Sequence, residues 1–350
     1  IAMGTIRTRL GDGSFLELSE EEIYEDLEAG TQDAAEKARI PPLSENELRY
    51  LLDIYKSKAR VVGVDSGYEC CLSYDNMTSK IERAHISVSK FQQLQLFERA
   101  LGADTLELAH IDYSYKQVKH VVIYDKPNME QAVLMTIPPI LYGAMPNMGL
   151  YTYPDGPCAN PGDLLPQGKF EEAKEAYAQA IELAIKDMIF VGSELYEAGA
   201  DGINFDTTGA AGDAEFYAAL KAAETLKAKY PDMGIEMGMA GEFILGMHSE
   251  IEYDGVRLAG LFPHDQVKLA QKAGVNIFGP VVNTQTNESL PWNVARSITF
   301  TKACSEASEI PLHANVGMGV GGVPLNIMPP LDALSRASKA HVEICRLDGL

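Results

Sequence analysis

The sequence predicts an α/β fold, because one pattern recurs in which a helix ends at a glycine and a short apolar strand follows. The clearest case is 199–213, GADGINFDTTGAAGD, where a long helical pattern stops at Gly199. The run at 203–205 then predicts a buried strand, and Asp213 is placed to cap the next helix. The same order returns at 270–281, AQKAGVNIFGPV, and begins again in the last three residues. Helices that alternate with buried strands are typical of a parallel sheet.

An N-terminal appendage of helices and short strands, residues 1–101, is predicted to lie outside that pattern. Residues 5–18 predict two strands around a turn at 11–13, and residues 61–90 predict further short strands.

Capping signals predict two helices in this appendage. Ser19 is followed by three glutamates, so it opens a helix that we expect to end at Gly30. Ser44 opens the second helix, because Glu47 stands three residues later and completes a capping box.

The remaining residues, 102–350, predict repeated strand–helix units. The predicted strands are 105–111, 137–143, 203–205, 235–240, 275–282 and 311–316. Repeated units of this kind are typical of a (β/α)8 barrel of the TIM-barrel type, whose functional residues lie at the carboxyl ends of the strands. We count about six of the eight units, with a seventh strand beginning at Asp348, so the predicted barrel is incomplete because the chain ends before the last strands.

An incomplete barrel has a consequence for assembly. It would expose apolar faces and the unpaired edges of its outer strands, so we expect a homo-oligomer that covers them. The expected interface includes the strand at 311–316, the helix after Pro330 and the end of the chain at Leu350.

Three acidic residues near strand ends are the predicted catalytic groups. Asp206 ends the strand at 203–205, Glu236 lies within the strand at 235–240, and Glu242 comes just after it. Strand ends of neighbouring units meet at one edge of a parallel sheet, so these carboxylates can converge. Helix capping, or a hydrogen-bonded acid at the sheet edge, is the alternative interpretation for each.

Four residues of later units are predicted to bind substrate or a partner: His264, Asn283, His313 and Gly319. The two histidines are candidate proton donors, and hydrogen-bonded structural histidines are the alternative. Gly319 belongs to the run at 317–322, GMGVGG, which formally matches a dinucleotide fingerprint. Prolines delay the next helix, so we expect no nucleotide there and predict a close approach of the backbone to a ligand or partner.

The segment at 144–165 is dense in proline, glycine and asparagine. A long connection of this composition in a compact domain is typically a lid or a binding loop.

Composition excludes several classes of partner. The chain has 29 basic and 50 acidic residues, a formal net charge of −21, so we expect neither nucleic acid nor an anionic membrane as partner.

No apolar run approaches the ~20 residues that span a bilayer, and we expect no signal peptide at the start of the sequence. Five cysteines without a C-x-x-C pair favour the cytoplasm. No H-E-x-x-H motif or Cys/His cluster occurs, so we expect no protein-held metal.

Several long runs resemble the dimethylamine:corrinoid methyltransferases, a family of methylamine methyltransferases from methane-forming archaea and some anaerobic bacteria. These runs are 102–119, 142–164, 199–213, 238–248 and 317–322. The similarity extends over nearly the whole chain and is weakest between 65 and 95. The resemblance implies a (β/α)8 barrel, in agreement with the strand count.

The resemblance also implies a reaction of methylamine catabolism and methanogenesis. In the family, a methylated amine adds to the imine of pyrrolysine, and its methyl group passes to Co(I) of a corrinoid on a separate protein. The implied substrate is therefore dimethylamine and the implied partner is a cognate corrinoid protein, with no cofactor bound tightly by this chain. Asp206, Glu236 and Glu242 are the carboxylates expected to face the cationic adduct. The preference among mono-, di- and trimethylamine stays open.

The family's pyrrolysine follows the motif that 348–350 match, and an in-frame UAG codon encodes it. The resemblance therefore implies that this chain is truncated at the pyrrolysine position and is inactive for lack of the imine. The alternative is a non-catalytic barrel that keeps the surface for the corrinoid protein. The codon after Leu350 distinguishes the two.

Overall fold

The computed structural model describes residues 4–68, 70–72, 80–81, 86–87, 104–110, 113–119, 141–144, 146–246, 250–326 and 329–350. The helices in these ranges are α1 (Glu20–Ala38), α2 (Glu45–Lys56), α3 (Pro161–Leu164), α4 (Phe170–Glu197), α5 (Asp213–Lys229), α6 (Pro263–Lys272), α7 (Leu290–Ala307) and α8 (Leu331–Cys345). The strands are β1 (Thr5–Arg9), β2 (Phe15–Ser19), β3 (Cys70–Leu72), β4 (Lys80–Ile81), β5 (Ile86–Ser87), β6 (Asp104–His110), β7 (Tyr113–Lys119), β8 (Leu141–Ala144), β9 (Gly202–Thr208), β10 (Gly234–Met239), β11 (Glu252–Tyr253), β12 (Val256–Arg257) and β13 (Ile277–Gly279).

Two compact units make up the chain. The terminal unit consists of Ile1–Pro138 and Pro280–Leu350, and the central unit consists of Pro139–Gly279. The terminal unit therefore joins the two ends of the sequence. The predicted division into residues 1–101 and 102–350 stays a prediction.

A parallel sheet forms the centre of the central unit. Its strands lie in the order β13–β10–β9–β8, and each neighbouring pair is parallel. The predicted α/β class with a parallel sheet is thus confirmed. In the described part of the chain this sheet is open, with β13 and β8 at its edges, so the (β/α)8 barrel stays a prediction.

The apolar face of this sheet is buried beneath helices of the same unit. Ile203 and Phe205 of β9 are fully buried, as are Ile235 and Met237 of β10. Helices α4 and α5 pack closely, because a Cβ on Gly192 of α4 would lie 2.8 Å from Leu226 Cδ1. Each large apolar side chain buried in this way stabilises the fold by ~1.5–3 kcal/mol.

The helix boundaries around β9 follow the sequence in one case and depart from it in another. Gly199 follows α4 with φ of +103°, which confirms the predicted stop. The capping role predicted for Asp213 is wrong. Gly212 holds the N-cap position, and Asp213 is the first helical residue, with its backbone N–H donating to Leu245 O at 2.8 Å.

Local signals predicted much of the N-terminal part of the terminal unit. Strands β1 and β2 form the expected antiparallel pair. Both capping boxes are present, at Ser19 with Glu22 and at Ser44 with Glu47.

The predicted end of α1 at Gly30 is wrong, because the helix continues to Ala38. Gly30 is buried, and a Cβ at this position would lie 2.2 Å from Trp292 O of α7. The glycine therefore permits close packing of two helices, a role that the local sequence does not reveal.

Two predicted strands of the parallel sheet have other arrangements. The strand at 105–111 forms as β6, but β6 pairs antiparallel with β7 in a sheet of order β3–β7–β6. Only two residues separate β6 from β7, too few for the crossover that a parallel pair needs. The segment at 311–316 forms isolated bridges instead of a regular strand, and one of them is a parallel bridge between His313 and Gly349.

The other strand predictions agree in part with the structure. The strand at 137–143 is observed from Leu141 onward, and 137–140 lie outside the described residues. The strand at 275–282 is shorter than predicted and spans Ile277–Gly279. Among the helices that the structure describes, none is both long enough and apolar enough to cross a membrane.

Candidate active site

One face of the central sheet is polar where the strands approach their carboxyl ends. On β9, Asn204 and Asp206 alternate with residues of the buried apolar face. On β10, Glu236 is the register partner of Asn204, so it shares the polar face. The sequence prediction that Asp206 and Glu236 belong to one sheet edge agrees with this register. The position of Asp206 is two residues before the end of β9 at Thr208.

Gly238 of β10 leaves space for the Asp206 carboxylate because it has no side chain. An ideal Cβ on Gly238 of β10 would lie 3.2 Å from Asp206 Oδ1 and 3.9 Å from Asn204 Oδ1. A distance of 3.2 Å is tighter than most Cβ contacts, so a larger residue at 238 would push against Asp206.

The backbone fixes one oxygen of Asp206. Its Oδ1 accepts a hydrogen bond from the Thr207 N–H at 2.7 Å. Thr207 has φ of +56°, a left-handed conformation that is costly for a β-branched residue. Strain of this kind persists where the surrounding structure holds the backbone in place.

The other two predicted carboxylates are buried. Glu236 is 7% exposed and Glu242 is 9% exposed. Glu242 lies in the β10 loop, residues 240–246, which follows β10. A carboxylate held out of bulk water attracts a nearby cation more strongly than an exposed carboxylate does, so both positions suit a cationic ligand.

Two backbone hydrogen bonds join the β10 loop to the β9 loop, residues 207–212, and to Asp213, the first residue of α5. The Ala240 N–H donates to Thr208 O at 3.1 Å, and the Asp213 N–H donates to Leu245 O at 2.8 Å. Glu242 therefore belongs to the loop next to the one that follows Asp206. This agrees with the prediction that the acids of these two units lie at one edge of the sheet.

Asn204 was not among the residues that the sequence singled out. Its Oδ1 is buried and has no hydrogen-bond partner among the described residues. A buried acceptor without a donor costs ~1–3 kcal/mol, and native structures keep few such groups. The signal in the sequence was a polar residue between two apolar residues of a buried strand.

His264 is the second residue of α6. Its Nε2 lies 3.3 Å from Asp265 Oδ2, and its Nδ1 is buried with no hydrogen-bond partner from the residues that the structure describes. Burial lowers the pKa of His264 below the usual histidine value, although the charge of Asp265 acts in the opposite direction. The ring is therefore neutral at neutral pH, and its predicted role as a proton donor stays a prediction.

Asn283 and Gly319 lie on paired segments of the terminal unit. Asn283 is exposed and forms an antiparallel bridge with Val320, while its carbonyl accepts from Arg296 Nη1 at 3.4 Å. The Thr284 N–H donates to Gly319 O at 2.8 Å. The binding roles predicted for Asn283 and Gly319 stay predictions.

The glycine run at 317–322 packs closely against its own unit. Gly319 has φ of +86°, and a Cβ there would lie 2.8 Å from Leu325 Cδ1. A Cβ on Gly322 would lie 2.6 Å from Val294 Cγ2 of α7. Backbone that passes this close to a helix side chain requires glycine, which accounts for the run in structural terms.

His313 also belongs to the terminal unit, and it is half-buried. The segment around it is held by the last residues of the chain, because the Gly349 N–H donates to Leu312 O at 3.0 Å and the Ala314 N–H donates to Gly349 O at 3.1 Å. Its predicted role in proton donation or binding stays a prediction.

The predicted binding loop at 144–165 is well structured from residue 146 onward. It contains a 3₁₀ turn at Met148–Tyr151 and the short helix α3. The Tyr153 N–H donates to Cys158 O at 2.8 Å, and the Cys158 N–H donates to Tyr151 O at 2.9 Å. Tyr151 OH donates to Asp187 Oδ2 of α4 at 3.0 Å. Its function as a lid stays a prediction.

Among the described residues, no group of three His, Cys, Asp or Glu side chains is arranged to hold a metal ion. Instead, Asn204 and Asp206 lie on one face of β9, and Glu236 shares that face on β10. Their oxygen acceptors can bind a cation that carries N–H donors.

Comparison with known proteins agrees with this chemistry. The family model described as dimethylamine methyltransferase (Dimeth_PyL) matches residues 4–350. No solved structure is significantly similar to the chain. Because the match covers nearly every residue, it rests on the whole sequence and not on a short motif. The chain belongs to the dimethylamine methyltransferase family.

Proposed function

We propose that this protein removes one methyl group from dimethylamine and passes it to the cobalt of a corrinoid that a separate partner protein carries. Membership of the dimethylamine methyltransferase family supports methyl transfer in general. The observation that carries the finer proposal is the burial of Glu236 and Glu242 beside the β9 strand that bears Asp206.

Buried carboxylates suit this substrate because dimethylamine, like the lysine side chain, is a cation at neutral pH. Two unit charges ~4 Å apart attract by ~1 kcal/mol in water and by ~4 kcal/mol at an effective dielectric of ~20. Dimethylammonium has two N–H groups, which the Asp206 and Glu236 oxygens would accept. The same oxygens would hold the nitrogen in one orientation, with a methyl group directed away from the sheet.

Methyl transfer breaks one N–C bond, and the electron pair of that bond stays on the nitrogen. A positively charged nitrogen is the better leaving group, so carboxylates that keep the amine protonated keep the substrate in its reactive form. The corrinoid would supply the reduced cobalt that accepts the methyl group. Monomethylamine is the other product. The resemblance assigns capture of the amine to pyrrolysine, and that assignment is part of the proposal.

The first experiment measures binding of dimethylammonium chloride to the natural gene product of this sequence by calorimetry. Asp206→Asn and Glu236→Gln should each weaken binding about tenfold or more, because each removes one charge from the cation site. Glu224→Gln is the matched control, since Glu224 is an exposed acid of α5. Unchanged affinity in both site variants would contradict the proposed site.

Methyl transfer itself separates the proposal from its alternative. A protein that binds the cognate corrinoid protein but forms no monomethylamine from dimethylamine would be the non-catalytic barrel. A protein that forms monomethylamine only when the reduced corrinoid protein is present would be the enzyme that we propose.

A further inference from the structure

Glu215 is a deeply buried acid in the first turn of α5. It is 1% exposed. Its Oε2 accepts a hydrogen bond from the Ala211 N–H at 2.9 Å, and its Oε1 is buried without a hydrogen-bond partner in the part of the chain that the structure describes. Acids are common in first turns because they interact with the helix dipole, but such acids are usually exposed to solvent. The burial of Glu215 therefore needs another reason.

The β9 loop, which Ala211 belongs to, has an unusual backbone. Thr207, Gly209 and Gly212 all have left-handed φ values, of 56°, 85° and 99°. The loop begins with the Thr207 N–H that binds Asp206 Oδ1. A loop in this conformation has to be held, and the β10 loop holds it through Thr208 and Asp213 on one side.

Glu215 holds the β9 loop from inside. Burial raises the pKa of this carboxyl above the usual glutamate value, and the backbone amides of Ala211, Ala210, Gly209 and Met148 act in the opposite direction. The carboxyl therefore lies near amides of the β9 loop and near one amide of the segment at 146–165. Ala211, which donates to Glu215, is four residues after Thr207, whose N–H donates to Asp206 Oδ1.

We infer that Glu215 is a positioning residue of the candidate site, whose carboxyl group holds the β9 loop through Ala211 in the conformation in which the Thr207 amide binds Asp206. The effect on the loop stands on the geometry alone. The effect on substrate rests on the proposed function, because it requires Asp206 to bind the amine.

The test compares two substitutions of Glu215 by amide hydrogen exchange in the natural gene product. Glu215→Met has a similar length and removes the acceptor, so exchange at 209–211 should become about tenfold faster, the factor expected for loss of one hydrogen bond. Glu215→Gln keeps an acceptor oxygen and should restore slow exchange. The matched pair Glu224→Met and Glu224→Gln, at the exposed Glu224 of the same helix, should leave exchange in the β9 loop unchanged.

Two outcomes would overturn the inference about the loop. One is unchanged exchange at 209–211 in Glu215→Met. The other is equally fast exchange in Glu215→Gln, because an acceptor at this position would then not hold the loop. The Gln variant keeps the test decisive if the Met variant does not fold.

Calorimetry with dimethylammonium chloride tests the link to the site. Glu215→Met should weaken amine binding about fivefold to tenfold, and Glu215→Gln should recover it. Faster exchange with unchanged amine affinity would overturn the positioning role. If Asp206→Asn also leaves amine affinity unchanged, the proposed function fails, while the exchange result still tests the loop.

Discussion

At the scale of single residues, the polar face of the central sheet depends on a glycine, Gly238, as well as on the polar side chains. Gly238 is adjacent to Asp206, and its backbone conformation is one that other residues adopt without strain. Glycine therefore suits this position because of the space it leaves for Asp206, and not because of its backbone conformation. The position of the Asp206 carboxylate is set by Gly238 on one side and by the Thr207 amide on the other.

Replacing Gly238 with alanine should displace the Asp206 carboxylate, because the new Cβ would lie 3.2 Å from Asp206 Oδ1. We expect dimethylammonium binding to weaken about fivefold, and overpacking to cost about 1 kcal/mol of stability. Gly241→Ala is the matched control, since the nearest atom to its Cβ would be Phe243 O at 3.9 Å. Calorimetry measures the affinity of both variants for dimethylammonium. Equal affinities of Gly238→Ala and Gly241→Ala would contradict the role of Gly238.

Glu215 should make stability depend on pH. Burial raises its pKa in the folded protein, so the fold favours the protonated form. The stabilisation is fully present below the pKa of the unfolded chain, and it is lost as the pH rises through the folded pKa. Glu215→Gln does not titrate, so its stability relative to wild type should be greater at pH 8 than at pH 4. Urea unfolding at both values measures this, and a difference that does not change with pH would refute it.

At the scale of elements, close helix contacts depend on what each glycine meets. Gly30 of α1 meets the backbone carbonyl of Trp292, whereas Gly192 of α4 meets the end of the Leu226 side chain. A backbone atom cannot move aside, but a leucine side chain can rotate. The two glycines therefore differ in how well they tolerate a methyl group.

Gly30→Ala should destabilise the protein by about 3 kcal/mol, although alanine gains ~1 kcal/mol in helix propensity. Gly192→Ala should change stability by less than about 1 kcal/mol, because Leu226 can adjust. Chemical denaturation of the two variants compares them directly. A Gly30→Ala protein as stable as wild type would mean that the α1–α7 contact is looser than described.

The sequence predicted those elements whose signals are local. Ser19 and Ser44 identify helix starts because each is followed three residues later by a glutamate that completes the cap. Gly30 misled the prediction because its contact is with Trp292, far along the chain. The direction of β6 was missed for a related reason, since strand periodicity does not specify which neighbour a strand pairs with.

The candidate site divides in the same way. The positions of Asp206 and Glu236 on neighbouring strands were predictable, because each is an acid within or directly after the apolar strand of its own strand–helix unit. Their catalytic roles, like that of Glu242, stay predictions. Asn204, Gly238 and Glu215 were not predictable. Their roles depend on the register of β9 with β10 and on the path of the β9 loop. Local sequence patterns predict neither of these.

At the scale of the whole molecule, an ion pair between a buried arginine and a partly exposed aspartate joins the N-terminal and C-terminal segments of the terminal unit. Arg296 of α7 is 1% exposed, and its Nε donates to Asp33 Oδ2 of α1 at 2.7 Å. Arg296 also lies over the rings of Trp292 and Phe300. The N-terminal helix is therefore part of the core of this unit.

Asp33→Ala should destabilise the protein by about 3 kcal/mol, because it leaves the Arg296 charge buried without this carboxylate. Asp53→Ala is the control, since Asp53 is an exposed acid of α2. Thermal unfolding of both variants measures the difference. A loss no larger than that of the control would show that the ion pair does not hold the two ends together.

The central claim is that the family's chemistry operates here on dimethylamine, with a corrinoid protein as acceptor. The most direct measurement incubates the natural gene product with dimethylamine and the reduced cognate corrinoid protein, and follows the visible spectrum of the corrinoid together with monomethylamine. The account predicts that the spectrum changes to that of the methylated corrinoid while monomethylamine forms in equal amount. An unchanged spectrum without monomethylamine would contradict it.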